Sequence, residues 1–260
     1  MKLRLPREHG TWGMFFVPFA AGWLAAGHFR WPVLLLLLAS SAVFLSRETL
    51  LFWWRARHYG KDPEDATRAL VFYAAAAAAF GAPLVVVWKL YALIALGFAG
   101  LIALVATAEL TVRRQGRSAA TEFLAIAISA LNAASAHYVA AGRWTAEAFW
   151  LWALCTLYFA SSIFYVKLRV QDAHGKRDRD VIRARRRCAA YHAVLLAALA
   201  ALVVTRSVPL FALIAFIPIL VRAFAEVFSP SRELNLKRVG WLEVTWSLVF
   251  LCVVGLGFGS

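Results

Sequence analysis

The stretch WPVLLLLLASSAVFLSRETLLFW, residues 31–53, decides the fold class of this chain. A helix needs about 20 mostly apolar residues to cross the hydrocarbon core of a membrane, and this stretch supplies them with only Arg47 and Glu48 as charged interruptions. The whole chain has the same character, because 62% of its residues are hydrophobic and its mean hydropathy is +0.69. Soluble domains contain about 45–50% apolar residues. The sequence therefore predicts an all-α, polytopic membrane protein.

Nine apolar runs separated by polar loops predict a nine-helix transmembrane bundle, which forms a single domain over residues 1–260. So little chain lies outside the runs that we expect no extramembrane domain. Gly81 and Pro83 interrupt the third run, and every later helix would have the opposite orientation if that run did not cross. The predicted spans are residues 10–27, 31–53, 69–87, 90–112, 119–140, 146–166, 188–205, 208–228 and 240–258.

Basic residues are distributed unevenly between the two sets of alternating loops. Of the 28 Lys and Arg, 22 lie in the N-terminal segment and the loops on its side, 4 lie in the opposite loops, and Arg47 and Arg222 lie within spans. Cytoplasmic loops of membrane proteins carry the excess of Lys and Arg. We therefore expect the N-terminus and the long loops in the cytoplasm and the C-terminus outside.

The formal net charge of +14 raises the question of a nucleic-acid partner. We expect none, because the basic residues lie in short loops next to the membrane, where membrane orientation and attraction to anionic lipid headgroups explain them. Membrane lipid is the partner that this pattern predicts. The densest group, the nine Lys and Arg of residues 167–187, has two interpretations: a surface that faces lipid headgroups or phosphate, or a solvated face.

Several ionisable residues interrupt the spans, and most lie toward the predicted cytoplasmic side. Such residues are costly in a bilayer, so they persist with a partner, a water-filled cavity or a function. Side chains that reach out to the headgroups are an equal alternative for three residues near span ends, Glu109, Glu122 and Lys167. A buried polar network is favoured for four residues that lie a turn or more inside, Arg47, Glu48, Arg222 and Glu243.

Spacing within the spans predicts which of these side chains meet. Arg222 and Glu226 are one helical turn apart, so they can pair on the same helix, and Glu243 on the last span is the other candidate partner of Arg222. Arg47 and Glu48 point about 100° apart on a helix. We therefore expect these two to find partners on different neighbouring helices rather than to pair with each other.

Metal and cysteine chemistry have little support in the sequence. The three cysteines are isolated in apolar spans, with neither CxxC spacing nor a nearby His cluster. Asp178 and Asp180 are interleaved with basic residues, which favours charge neutralisation over magnesium binding. Asn132 and His137, on span five, are typical of hydrogen bonds between membrane helices. We expect no cofactor and no metal.

Four short segments, in this order and spacing, resemble the YwiC-like family of bacterial membrane proteins. They are REHGTW at residues 7–12 with Pro18 after it, the segment 158–169, Tyr191-His192, and KRVGWLE at residues 237–243. The resemblance implies a multi-pass protein of the bacterial cytoplasmic membrane. The family has no settled activity, so the resemblance implies no reaction.

The order of spans and loops resembles, more distantly, that of the UbiA-type intramembrane prenyltransferases. In those enzymes Asp-rich motifs after spans two and six hold magnesium and a prenyl diphosphate. This chain has Ser46-Arg47-Glu48 and Lys167-Leu168-Arg169 at the corresponding places, so cations stand where carboxylates are expected. Lys and Arg can bind a diphosphate directly through charge-assisted hydrogen bonds. The resemblance therefore implies that an isoprenoid or other lipid phosphate binds without the usual magnesium pair.

Three functions remain open: an enzyme that acts on a lipid phosphate, a non-catalytic lipid-binding or assembly protein, and a small-molecule transporter. Transport has the least support, since the charges gather toward one face and no internal repeat is visible. We expect a polar intramembrane pocket that opens to the cytoplasm. Its predicted catalytic residues are His9, Glu48, His192 and Glu243. Its predicted substrate-binding residues are Arg47, Lys167, Arg169, Arg222 and Lys237.

Overall fold

The computed structural model of the protein describes residues 9–113, 118–173, 178–229 and 236–259, and these residues form nine α-helices and no strand. The helices are α1 (His9–Ala25), α2 (Pro32–His58), α3 (Glu64–Val86), α4 (Ala92–Val112), α5 (Ala119–Ala141), α6 (Ala146–Ala173), α7 (Asp178–Val204), α8 (Leu210–Phe228) and α9 (Leu236–Gly259). Eight of them, α2 to α9, are long and apolar enough to cross a membrane. The prediction of an all-α, multi-pass membrane protein is confirmed. A ninth crossing by α1, which has 17 residues, stays a prediction.

Local sequence explains where helices begin and end. Pro32 opens α2, at a position where its missing N–H leaves no hydrogen bond unmade. Ser118 caps α5, because its hydroxyl accepts a hydrogen bond of 3.1 Å from the N–H of Thr121. Gly142 ends the same helix with a φ of 72°, a left-handed conformation that glycine adopts without steric cost.

Gly81 and Pro83 do not interrupt helix α3. It continues through both residues to Val86, with Pro83 in its last turn. A proline there does not shorten the helix below the length needed for crossing. The third apolar run is therefore a membrane-length helix, as the nine-run interpretation requires.

Helix α6 lies in the middle of the larger part of the bundle. Helices α1, α5, α7 and α8 pack on it, and α9 packs on α1 and α8 to complete the group. Leu151, Leu154 and Cys155 of α6 have no exposed surface and belong to an apolar core that all six helices share. Half or more of the apolar windows of α5 and α6 is buried, a larger share than in the other helices.

Helix α1 is short but deeply packed. A Cβ atom added at Gly22 would lie 2.0 Å from the backbone oxygen of Ala133 on α5, so only glycine lets the two backbones approach this closely. Phe15 and Ala21 on the same helix are also buried. Helix α1 is therefore part of the core rather than a peripheral attachment.

Helices α2, α3 and α4 form a thinner layer that attaches to α5. Helix α2 packs mainly on α3 and less extensively on α4 and α5, and it makes no substantial contact with α6, α8 or α9 among the described residues. On α4, Phe98, Leu101 and Ile102 are 62%, 53% and 67% exposed. Apolar side chains that face outward along a membrane-length helix are the surface that lipid covers.

Candidate functional site

Charged side chains of α6, α8 and α9 meet inside the larger part of the bundle. Arg222 Nη1 on α8 lies 2.6 Å from Oε1 of Glu243 on α9, and the two side chains are only 13% and 20% exposed. Ser162 on α6 donates a hydrogen bond of 2.7 Å from its hydroxyl to Oε2 of Glu243. The pairing of Arg222 with Glu243 was one of the two alternatives predicted from the sequence, and it is confirmed.

Two further contacts hold this ion pair in place. The guanidinium carbon of Arg222 lies 4.1 Å from the ring centre of Tyr165 on α6, a cation–π distance. The hydroxyl of Ser247, one turn beyond Glu243, donates a hydrogen bond of 2.7 Å to the backbone oxygen of that residue. Three helices therefore fix one guanidinium and one carboxylate at low dielectric.

His192 on α7 is buried, and its ring lies 6.4 Å from that of Phe224 on α8, the helix that carries Arg222. Its Nδ1 lies 2.8 Å from the backbone oxygen of Cys188. A carbonyl oxygen only accepts, so Nδ1 carries the hydrogen and, in the neutral ring, Nε2 carries a lone pair. We call Ser162, Tyr165, His192, Arg222 and Glu243 together the Arg222 site.

The Arg222 site contains buried polar atoms that the protein does not satisfy. Among the described residues, neither Nε2 of His192 nor Nε of Arg222 has a hydrogen-bond partner. Buried polar groups are almost always hydrogen-bonded, and exceptions in folded proteins call for an explanation. Nε2 of His192 is an acceptor in the neutral ring, and Nε of Arg222 is a donor.

A second buried ion pair joins α6 and α8. Arg169 Nη1 lies 3.1 and 2.9 Å from the two carboxylate oxygens of Glu226, and both residues are less than a tenth exposed. The neighbouring Leu168 and Ala223 pack in one apolar cluster with α7. The charge of Arg169 is therefore balanced inside the protein.

The expected pairing of Arg222 with Glu226 on the same helix is wrong. Glu226 pairs with Arg169, and Arg222 pairs with Glu243. Side chains on a helix tilt toward its N-terminus, and a basic residue that precedes the acidic one by four is the less favourable order. Partners on facing helices are available to both residues, and these pairs also fix the contacts of α8 with α6 and α9.

The expectation that Arg47 and Glu48 seek different helices is also wrong. Arg47 Nη1 lies 2.8 Å from Oε1 of Glu48, and both side chains are about one third exposed. The angle of about 100° between consecutive residues separates short side chains. The side chains of Arg47 and Glu48 are long enough to bend around the helix and meet. The pair lies on α2, outside the group of helices that forms the Arg222 site.

The remaining predicted site residues are not gathered around Arg222. Lys167 Nζ lies 2.7 Å from Oε2 of Glu122 on α5, and both side chains are about one third exposed. Arg47, Lys167 and Arg169 are thus each held by a different carboxylate. The side chains of His9 and Lys237 lie outside the described part of the chain. The structure pairs Arg222 with Glu243, and His192 lies on the adjacent helix α7 with its ring against Phe224 of α8.

A polar cavity of about 270 Å³ lies at the other end of α5 and α6. His137 is 2% exposed there, and its Nε2 lies 3.0 Å from Thr145 Oγ1 and 3.3 Å from Glu147 Oε2. His28 and Arg143 also line it. Sequence reasoning predicted hydrogen bonding between helices for His137 but missed the cavity, since Thr145 and Glu147 carry no motif. No cluster of three side chains suited to a metal ion occurs in the described ranges.

Comparisons with known proteins identify a family and add no activity. Residues 5–137 match the YwiC-like protein family. The chain is also similar to an uncharacterized protein of Haemophilus influenzae, with 26% identity over 255 residues that cover 98% of each chain. No solved structure matches the chain.

Proposed function

The chain belongs to the YwiC-like protein family, and we propose that this integral membrane protein binds the head group of an isoprenoid or other lipid phosphate at the Arg222 site. One observation carries the proposal. Among the described residues, Nε of Arg222 and Nε2 of His192 are buried and have no hydrogen-bond partner, and Arg222 pairs with the carboxylate of Glu243. The oxygens of a phosphate can accept hydrogen bonds from the guanidinium of Arg222. A protonated phosphate oxygen, or a water molecule bound to the phosphate, can donate a hydrogen bond to the imidazole of His192.

The guanidinium of Arg222 is suited to an anion that arrives from the membrane. Its stacking on Tyr165 keeps the plane of the group in place, while Glu243 balances its charge when no anion is bound. An incoming phosphate would compete with Glu243 for the same donors. The hydroxyl of Ser162 supports that carboxylate and limits the distance it moves. Binding would not require magnesium.

Aromatic rings beside the site suit a hydrocarbon tail. The ring of Phe224 lies 6.4 Å from that of His192, and Phe164 stacks on Tyr191 with ring centres 4.4 Å apart. These rings present apolar surface at the level of the charged groups, on helices that cross the membrane. An amphiphile could therefore place its charge at Arg222 and its tail between α7 and α8.

The binding proposal is tested by thermal unfolding of the full chain in detergent with geranyl diphosphate, with and without EDTA. Saturable stabilisation in both conditions is expected, with no such effect of geraniol or inorganic diphosphate. Arg222→Lys keeps the charge but removes the Nε donor and the planar fork, so the stabilisation should be lost. Arg143→Lys, an exposed arginine at the opposite end, is the matched control.

Two results would contradict this proposal. Stabilisation that EDTA abolishes would show that binding depends on a metal. Stabilisation that Arg222→Lys leaves unchanged would place the anion elsewhere in the protein.

Catalysis is separable from binding through His192. Its Nε2 can accept the proton of a hydroxyl that attacks the carbon bonded to the diphosphate, so that a new C–O bond forms, the old C–O bond breaks and diphosphate leaves. His192→Gln should weaken stabilisation by geranyl diphosphate only in part, because Arg222 remains, and should abolish release of diphosphate. If the wild type releases no diphosphate over hours with any hydroxyl-bearing acceptor supplied, the protein binds the lipid without catalysis.

We further propose that the Arg222 site faces the cytoplasm in the bacterial inner membrane, with the N-terminus inside and the C-terminus outside. The unequal distribution of Lys and Arg, 22 against 4, supports this orientation. A reporter that works only outside the cytoplasm, fused after Ser260, should be active. Activity of a cytoplasmic reporter at that position would mean an even number of crossings, with α1 as the first helix to re-examine.

Transport of a small molecule is the second candidate function, and the cavity at His137 favours it. Glu147 and Tyr165 border two polar regions on α6, about 27 Å apart along the helix. Leu151 and Leu154 lie between them and are fully buried. A carrier would have to open this apolar layer. Uptake by proteoliposomes that responds to both His137→Gln and Arg222→Lys would favour transport over lipid binding.

A further inference from the structure

Helix α7 carries a row of arginines on one side of its first three turns. Arg179, Arg183, Arg186 and Arg187 are all exposed and fall within about 100° of one another around the helix axis. Within the described residues none of them forms an ion pair, whereas Arg185 on another face lies 3.6 Å from Asp172. Asp180 is exposed on the same turns and offsets one charge at most. We call these four residues the α7 arginine row.

The arginine row points away from the bundle. Ala184 and Cys188, which lie among the row in sequence, are buried against α6 and α8 on the opposite side of the helix. The row is thus separate from the Arg222 site and does not depend on the function proposed for that site.

The same face of α7 becomes apolar as the helix continues. Ala190, Val194, Ala197 and Ala201 follow the row at helical spacing, and all four are exposed. Three of the four are alanines, so the stripe is shallow and leaves room for a chain to lie along it. One helix face therefore carries guanidinium groups at one end and an apolar stripe beyond them.

The length of α7 places this change of polarity at a membrane surface. The helix has 27 residues, which makes it about 40 Å long, whereas the hydrocarbon core is about 30 Å thick. If the apolar end fills the core, Arg179 and Arg183 lie at headgroup level. Arg186 and Arg187 lie at the boundary, where long side chains reach toward phosphate.

We propose that this face of α7 binds an anionic phospholipid, with its phosphate on the arginine row and an acyl chain along the apolar stripe. The polarity of the face matches that of the lipid from end to end. Planar guanidinium groups bind phosphate with two parallel hydrogen bonds. A phospholipid with two phosphates, such as cardiolipin, can occupy adjacent turns of the row at once.

The test is native mass spectrometry of the full chain in neutral detergent, titrated with cardiolipin, phosphatidylglycerol and phosphatidylcholine. Cardiolipin should bind most tightly and phosphatidylcholine least. Arg183→Gln/Arg187→Gln should weaken cardiolipin binding by about tenfold or more, because each basic residue at the surface contributes about a factor of five. Arg55→Gln/Arg57→Gln removes the same charge from exposed positions at the end of α2. This control should change the affinity for cardiolipin by less than about twofold.

Equal weakening in the two double variants would overturn the proposal, because it would show that any surface charge suffices. Phosphatidylcholine binding as tight as that of cardiolipin would overturn it as well. Stabilisation by geranyl diphosphate should be unchanged in Arg183→Gln/Arg187→Gln. Failure of the arginine row and failure of the Arg222 site therefore give different results.

Discussion

The two parts of this bundle use ion pairs in opposite ways. In the larger part, ion pairs join different helices, and two of them, Arg169–Glu226 and Arg222–Glu243, are largely buried. In the layer of α2, α3 and α4, the pairs stay within one helix and their side chains are a third or more exposed: Arg47–Glu48, Arg68–Glu64 and Arg113–Glu109. In the larger part, Arg and Glu therefore connect neighbouring helices. In the layer of α2, α3 and α4, the same residue types pair only on the surface of one helix.

Burial sets the energetic difference between the two kinds of pair. A charge left alone in a low-dielectric interior keeps its full desolvation penalty, whereas an exposed charge is solvated by water or headgroups. The comparison predicts large effects of substitution at α8 and α9 and small ones at α2 and α3. Four experiments, in order of decreasing expected loss of stability, test this difference between the two parts.

Arg222→Ala has the largest expected effect. It leaves the carboxylate of Glu243 buried with Ser162 as its remaining described partner, and removal of one member of a buried pair costs about 3–5 kcal/mol. The melting temperature in detergent should fall markedly. Arg143→Ala, at an exposed site, is the control. Equal melting temperatures for the two variants would show that Arg222 faces water or headgroups.

A double-mutant cycle on Arg169 and Glu226 tests the observed pairing. Alanine at both positions should show a coupling of about 2–3 kcal/mol in the free energy of unfolding, because the two groups share direct hydrogen bonds. The same cycle on Arg222 and Glu226, the alternative pair from the sequence, should give a smaller coupling, because each residue has its own partner on a facing helix. A larger coupling for the second pair than for the first would reverse the assignment.

Much of the fold could be predicted because it depends on single segments. Apolar runs of membrane length give the helices, and the observed ends lie near the predicted ones except where α2, α3, α6 and α7 continue into charged turns. Those extensions were missed because a hydropathy pattern marks where the hydrocarbon ends, not where the helix ends. Arg55 and Arg57, for example, still belong to α2.

The site was harder to predict because it depends on which helices are neighbours. The sequence placed His192, Arg222 and Glu243 at similar depth, and the structure groups them. It could not show that α2 packs on α3 and α5 rather than on α6, so Arg47 was assigned to the same pocket. The depth of a side chain in the membrane follows from its position along one helix. Which helices are neighbours depends on the packing of small residues, and this packing leaves no pattern in the sequence.

Gly22→Ala tests the packing of the larger part without changing a charge. The new Cβ would meet backbone atoms of Ala133, so α1 and α5 must move apart, at a cost of about 1–3 kcal/mol. Gly97→Ala on α4 is the matched control, because no atom lies within 4 Å of the added Cβ. That control should be neutral or stabilise by up to about 1 kcal/mol. Equal unfolding free energies for both variants would place α1 outside the core.

Arg68→Ala should have the smallest effect of the four. Arg68 and Glu64 pair one turn apart at the start of α3, and their side chains are 69% and 70% exposed. Exposed pairs of this kind contribute about 0.3–0.5 kcal/mol, since both groups are solvated when the partner is absent. Thermal unfolding in detergent should therefore barely distinguish Arg68→Ala from the wild type. A loss of more than about 2 kcal/mol in the free energy of unfolding would mean that a second copy or a partner buries the start of α3. Only a desolvated ion pair costs that much to break.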